Sequence, residues 1–149
     1  MDWNKEIAKF GDHIRVMTDT GYYHHGIYID DNSVIHFSTK DGFSILSKDL
    51  EITSTNIDIF TLGREIEVKK YNKRYLTEKS VEIAKSMLGN RDYDLVFNNC
   101  EHFVTFCITG EKKSEIIDNL KKEGLKIRKD SGIHGMIDRL YMMIKKNDL

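Results

Sequence analysis

Phe97-Asn98-Asn99-Cys100-Glu101-His102-Phe103-Val104 is the stretch from which the chain is read. Apolar residues follow at Phe106, Cys107 and Ile108, and Gly110 ends the run. The pattern predicts a loop that turns into a helix, with Cys100 in the first turn. Asn98 or Asn99 suits the N-cap, and Glu101 stands three residues after Asn98, the spacing of a capping box. Phe103, Cys107 and either Val104 or Phe106 are expected to face the core. A thiol at a helix start lies near unpaired backbone N–H groups and the positive end of the helix dipole. Both favour the thiolate, and the same N–H groups can stabilise an oxyanion. The expectation is therefore a nucleophilic cysteine with a lowered pKa.

Outward from this helix, the chain of 149 residues suits a single domain with a real core. Residues 1–110 hold 13 Lys and Arg against 17 Asp and Glu, whereas residues 111–149 hold 10 against 7. This asymmetry is too mild to indicate nucleic acid, and no base-stacking motif accompanies it. The two cysteines, Cys100 and Cys107, would be about 10 Å apart along a helix, too far for a disulfide. Reduced thiols and a cytoplasmic protein are expected, with neither a signal core nor a membrane span.

In chain order, Trp3, Ile7 and Phe10 are spaced as on one face of a short helix over residues 2–9. Alternation predicts strands at His13–Thr18 and Tyr22–Ile29, a turn at Asp30–Ser33, and a hairpin partner at Val34–Ser38. Lys40–Gly42 reads as a turn, Phe43–Leu46 as a continuing strand, and Asn56–Leu62 as one more. Thr77 is expected to cap a helix carrying Val81, Ala84, Met87 and Leu88, closed by Gly89. Ile116–Leu120 reads as helical. Ile133, Met136, Ile137, Leu140 and Ile144 mark a final amphipathic helix. Its apolar stripe suits packing on its own domain; Arg139, Lys145 and Lys146 beside it also suit a peripheral membrane contact. Strands first and helices later define an α+β protein with a mostly antiparallel sheet.

Four of the six histidines lie in or beside the first hairpin: His13, His24, His25 and His36. Alternation puts Tyr22, His24, Gly26 and Tyr28 on one strand face, and Tyr23, His25, Ile27 and Ile29 on the other. The second set is the more apolar and is expected to cover the core. A cysteine with a nearby imidazole, itself held by a third polar group, is what thiol catalysis requires. Periodicity alone leaves open which face meets Cys100. His25 reads as a packing residue and His102 as structural. A Cys100/His102 pair lacks further ligands at metal spacing, so neither a metal nor another cofactor is expected.

Asn99-Cys100-Glu101-His102-Phe103-Val104 resembles the signature of the lecithin:retinol acyltransferase (LRAT) family. Tyr22-x-His24-His25-Gly26-Ile27-Tyr28 does so too, with His36 in Val34-Ile35-His36-Phe37 twelve residues beyond His24, and Gly11-Asp12 ahead of the first strand. His25 stands where tryptophan is common. The resemblance covers about residues 11–108, with a helical segment at about 112–149 beyond it. It implies a circularly permuted papain-like (NlpC/P60-type) fold. It also implies Cys100 as nucleophile, His24 as general base, His36 as the residue orienting His24, and Tyr22 as an oxyanion donor. The implied activity is acyl transfer or phospholipase-type hydrolysis through a cysteine thioester, on a phospholipid or other acyl ester. An amidase or cysteine peptidase on the same fold is the alternative enzyme reading. A non-enzymatic interaction module is the third, and it would have no need of a nucleophile with two imidazoles in register.

Overall fold

A computed structural model describes residues 2–39, 49–94 and 98–122. Among them, six strands form one antiparallel sheet. They are β1 (Trp3–Asn4), β2 (Asp12–Met17), β3 (Tyr23–Asp30), β4 (Ser33–Ser38), β5 (Glu51–Thr55) and β6 (Glu67–Lys69), in the order β1-β6-β2-β3-β4-β5. Four helices accompany it: α1 (Ile57–Thr61), α2 (Thr77–Ser86), α3 (Cys100–Thr109) and α4 (Glu115–Lys122). The class is α+β, an antiparallel sheet packed against helices. The strand predicted at residues 43–46 and the helix predicted at 133–144 lie outside the described residues.

Both sheet faces are buried, which corrects the expectation of one apolar face. Ile27, Ile35, Phe37 and Ile52 pack with Phe103, Val104 and Cys107 of α3, Val81 and Ala84 of α2, and Ile117 of α4. On the opposite face Ile14, Val16, Val34 and Val68 meet Phe60 of α1. Alternate residues of β3 therefore enter two different cores. Gly26 makes the second possible. A Cβ at that position would lie 2.9 Å from a Phe60 ring carbon and 3.0 Å from Val34.

Two elements differ from the sequence-based expectation. Residues 2–9 are not a helix. Trp3 and Asn4 join the sheet edge opposite Lys69 and Val68, and Ile7 is 85% exposed. The sheet edge supplies hydrogen-bond partners and a seat for the indole, which an uncapped two-turn helix does not. Residues 56–62 form a helix, not a strand. The Asn56 side chain accepts the Ile59 N–H at 2.9 Å, and Leu62 closes the turn with φ of 49°. An effective N-cap outweighed the alternating Ile57 and Ile59. The helix at Thr77 is present, but Leu76 occupies its cap without a side-chain bond and Thr77 is its first residue.

Candidate active site

The start of α3 is fixed by a reciprocal cap. Asn99 Oδ1 accepts the His102 N–H at 3.0 Å, and His102 Nδ1 accepts the Asn99 N–H at 3.0 Å. The box partner is therefore His102, not Glu101, and the cap is Asn99, not Asn98. Asn99 Nδ2 also donates to Ser114 Oγ at 3.1 Å. Freed from the cap, the buried Glu101 carboxylate accepts the Glu115 N–H at 2.7 Å and so ties α3 to α4.

The cap presents Cys100 to a gap in the sheet. The β3–β4 ladder stops at Ile27 and Ile35, whereas β2 stays paired with β3 as far as Tyr23. The thiol of Cys100 fills the opening. It donates toward the Tyr23 carbonyl at 3.9 Å, and the His25 N–H is near enough to favour the charged form of the sulfur. These two backbone groups flank His24 and point to the same strand edge. The sulfur thus occupies a ladder position beside the His24 backbone. The Tyr22 hydroxyl lies 3.6 Å from it.

The His24 ring leaves that point on the Phe60 side of the sheet. His24 Nε2 is 2.8 Å from His36 Nδ1, and His36 Nε2 is 2.8 Å from Thr55 Oγ1. Phe60 covers both rings, with centroids 4.9 and 5.0 Å away. The structure thus brings together two pairs of the expected residues, Tyr22 with Cys100 and His24 with His36. Among the described residues no hydrogen bond joins Cys100 to His24. The two imidazoles border a cavity of about 360 Å³ whose lining is mixed: apolar Val16, Met17, Ile59, Phe60 and Leu62, and polar Thr18, Asp19, Thr20, Thr61 and Arg64.

Burial dominates the electrostatics. It pushes the Cys100 thiol up to about 12; hydrogen bonds from Tyr22 and from the His25 and Glu101 N–H groups pull the other way without prevailing. The resting group is the thiol, which corrects the expected thiolate. Burial pushes Cys107 up to about 12 as well. Burial, then His36 and His25, hold His24 well below the ordinary imidazole range, and burial lowers His36 to about 4. Both rings are neutral at neutral pH, as a base and its support need to be. Burial, followed by the neighbouring Cys100, keeps the Tyr22 proton in place, so its hydroxyl can donate.

Three features escaped the sequence reading. Thr55 lies in a strand that the reading did not mark. Phe60 lies in the segment read as a strand. His13, to which the sequence assigns no role, is fully buried, with Nε2 2.8 Å from His25 Nδ1 and Nδ1 2.7 Å from the Tyr71 hydroxyl. This second pair spans twelve residues, as His24 and His36 do, and that repeated interval was the available signal.

The fold and the site define a class: an α+β protein with a buried thiol at a helix N-terminus, set into the edge of a strand that carries paired imidazoles. The sequence model of the lecithin retinol acyltransferase family matches residues 6–113. The chain belongs to that family. It is 30% identical to mouse lecithin retinol acyltransferase over 136 residues, covering 73% of this chain and 58% of the relative. It is 31% identical to the bovine protein of that name over 132 residues, covering 70% and 57%. Identity to human phospholipase A and acyltransferase 4 is 30% over 129 residues, covering 77% and 78%. The chain thus spans under three fifths of the lecithin retinol acyltransferases it matches.

Proposed function

We propose that the protein is a cysteine-dependent acyltransferase or phospholipase A-type hydrolase on a circularly permuted papain-like fold, with a phospholipid ester as acyl donor. The observation that carries this reading is the placement of the Cys100 sulfur between the two backbone groups that flank His24, whose ring is already engaged with His36. His24 takes the Cys100 proton as the sulfur attacks the ester carbonyl carbon. His36 holds the His24 ring and supports its positive charge. Tyr22 and the Cys100 N–H donate to the carbonyl oxygen as it becomes an oxyanion. The intermediate collapses to a thioester, and the leaving alcohol takes the proton from His24. Water, an amine or an alcohol then attacks the thioester, loses its proton to His24, and the Cys100 thiol is regenerated.

A resting thiol fits this scheme. The proton moves to His24 as attack begins, so no standing thiolate is exposed to oxidation. Val16, Met17, Ile59, Phe60 and Leu62 in the cavity beside His24 suit an acyl chain, while Thr18, Asp19, Thr20, Thr61 and Arg64 give the same cavity polar groups. Ile59 and Leu62, 46% and 75% exposed beside that cavity, suit contact with a bilayer surface. No helix among the described residues is long and apolar enough to cross a membrane. The test is intact mass spectrometry after incubation with mixed phospholipids. The expected result is an adduct of acyl mass on Cys100 that is absent from Cys100→Ser. Acyl turnover that persists in Cys100→Ser refutes the proposal.

A further inference from the structure

We infer that Thr55 is a positioning residue which, through the direction of one hydroxyl proton, sets His24 in the tautomer that can act as a base. The inference rests on the proposed role of His24, but its chain of bonds stands on geometry. The Thr55 hydroxyl has one proton, and it donates to the Asn56 carbonyl at 3.2 Å. With its proton on the Asn56 carbonyl, Thr55 Oγ1 is the acceptor toward His36 Nε2, 2.8 Å away. His36 carries its proton on Nε2, so its Nδ1 holds a lone pair. His24 Nε2, 2.8 Å from that nitrogen, must then be the donor. A neutral imidazole bears one proton, and His24 is left with its lone pair on Nδ1.

Each bond in the sequence fixes the next, and the direction starts at the cap of α1. Asn56 is held there by its own side chain, which accepts the Ile59 N–H, and by its carbonyl, which accepts the Phe60 N–H at 3.3 Å. The opposite pattern uses the same pair of contacts. With the proton on His36 Nδ1, the His24–His36 bond reverses, His24 accepts at Nε2 and carries its proton on Nδ1. That tautomer presents a proton where the base needs a lone pair. Thr55 selects between the two patterns because only it offers His36 Nε2 an acceptor among the described hydrogen bonds.

The test uses full-length protein labelled with ¹⁵N-histidine at pH 7.5, with long-range ¹H–¹⁵N correlation spectra to read which ring nitrogen is protonated. Wild type is expected to show His24 and His36 both protonated on Nε2. Thr55→Val keeps the shape and loses the acceptor, so both rings should move to the Nδ1–H form. Thr55→Ser should restore the wild-type pattern. Alkylation of Cys100 by iodoacetamide should slow about tenfold in Thr55→Val and recover in Thr55→Ser, as expected for one lost hydrogen bond. A wild-type spectrum with His24 protonated on Nδ1 overturns the inference without any variant. So does an unchanged tautomer pair in Thr55→Val. The spectra need no substrate, so acyl turnover in Cys100→Ser would remove the catalytic reading and leave the tautomer result intact.

Discussion

Replacing Glu101 with Gln should change how stability depends on pH. Burial holds the Glu101 carboxyl up at about 7, against an ordinary value of 4.5. In the unfolded chain the group ionises first. Between pH 4.5 and 7 the folded protein binds more protons than the unfolded one, so stability falls as pH rises. The penalty is absent below pH 4.5 and complete above 7. A difference of about 2.5 units corresponds to about 3 kcal/mol. Gln keeps an oxygen for the Glu115 N–H and cannot ionise. The gain of Glu101→Gln over wild type should therefore grow by about 3 kcal/mol from pH 4.5 to 8. With a urea slope of about 2 kcal/mol/M, the midpoints should separate by about 1.5 M over that range. Urea unfolding followed by circular dichroism at four pH values measures it. Midpoint differences equal at pH 4.5 and 8 would refute the reasoning, because they would mean that Glu101 ionises in the fold as easily as outside it.

Tyr22→Phe should lower acyl turnover by about tenfold to a thousandfold if the hydroxyl donates to the oxyanion, with an unchanged melting temperature; turnover at the wild-type level would reduce Tyr22 to packing. His24→Ala should abolish turnover, while His25→Ala, which removes a ring engaged with His13, should retain it; the reverse result in parallel assays would move the base to His25. Leu62→Glu should weaken co-sedimentation with phosphatidylcholine vesicles while leaving hydrolysis of a soluble short-chain ester near wild type, and equal vesicle binding by both proteins would remove α1 from the membrane contact.

The hairpin and the cysteine helix were legible because their signals are local and periodic. Alternation over residues 23–29 and an Asn before an apolar helical run are consequences of backbone geometry; Tyr22, expected on the His24 face, precedes β3 and packs instead in the core of Ile27 and Phe103 beside Cys100. Residues 56–62 misled because Ile57 and Ile59 alternate, and the competing signal was a single Asn56 side chain. The three-residue β6 has no period to detect. Glu101 at capping-box spacing was a plausible partner for Asn98, but His102 carries a ring nitrogen at the same reach and won the cap. The thiol state was not legible at all. Spacing gives proximity to a helix end, but the desolvation that raised Cys100 comes from its burial in a core that separate elements build together. Thr55 depended on a strand whose alternation, Ile52 buried among polar neighbours, is too brief to stand out.

The break in the β3–β4 ladder has a consequence for how the protein tolerates insertions. Cys100 is moored to β3, which β2 alone secures at that point, whereas His36 is carried by β4 and reaches His24 across the hairpin. Lengthening the turn at Asp31 and Asn32 by one residue would slip β4 past β3 and present the next side chain to His24. Cys100, Tyr23 and His25 would hold their places. The twelve-residue interval between the two histidines is thus a length standard, cut by the hairpin and independent of the helix that delivers the sulfur.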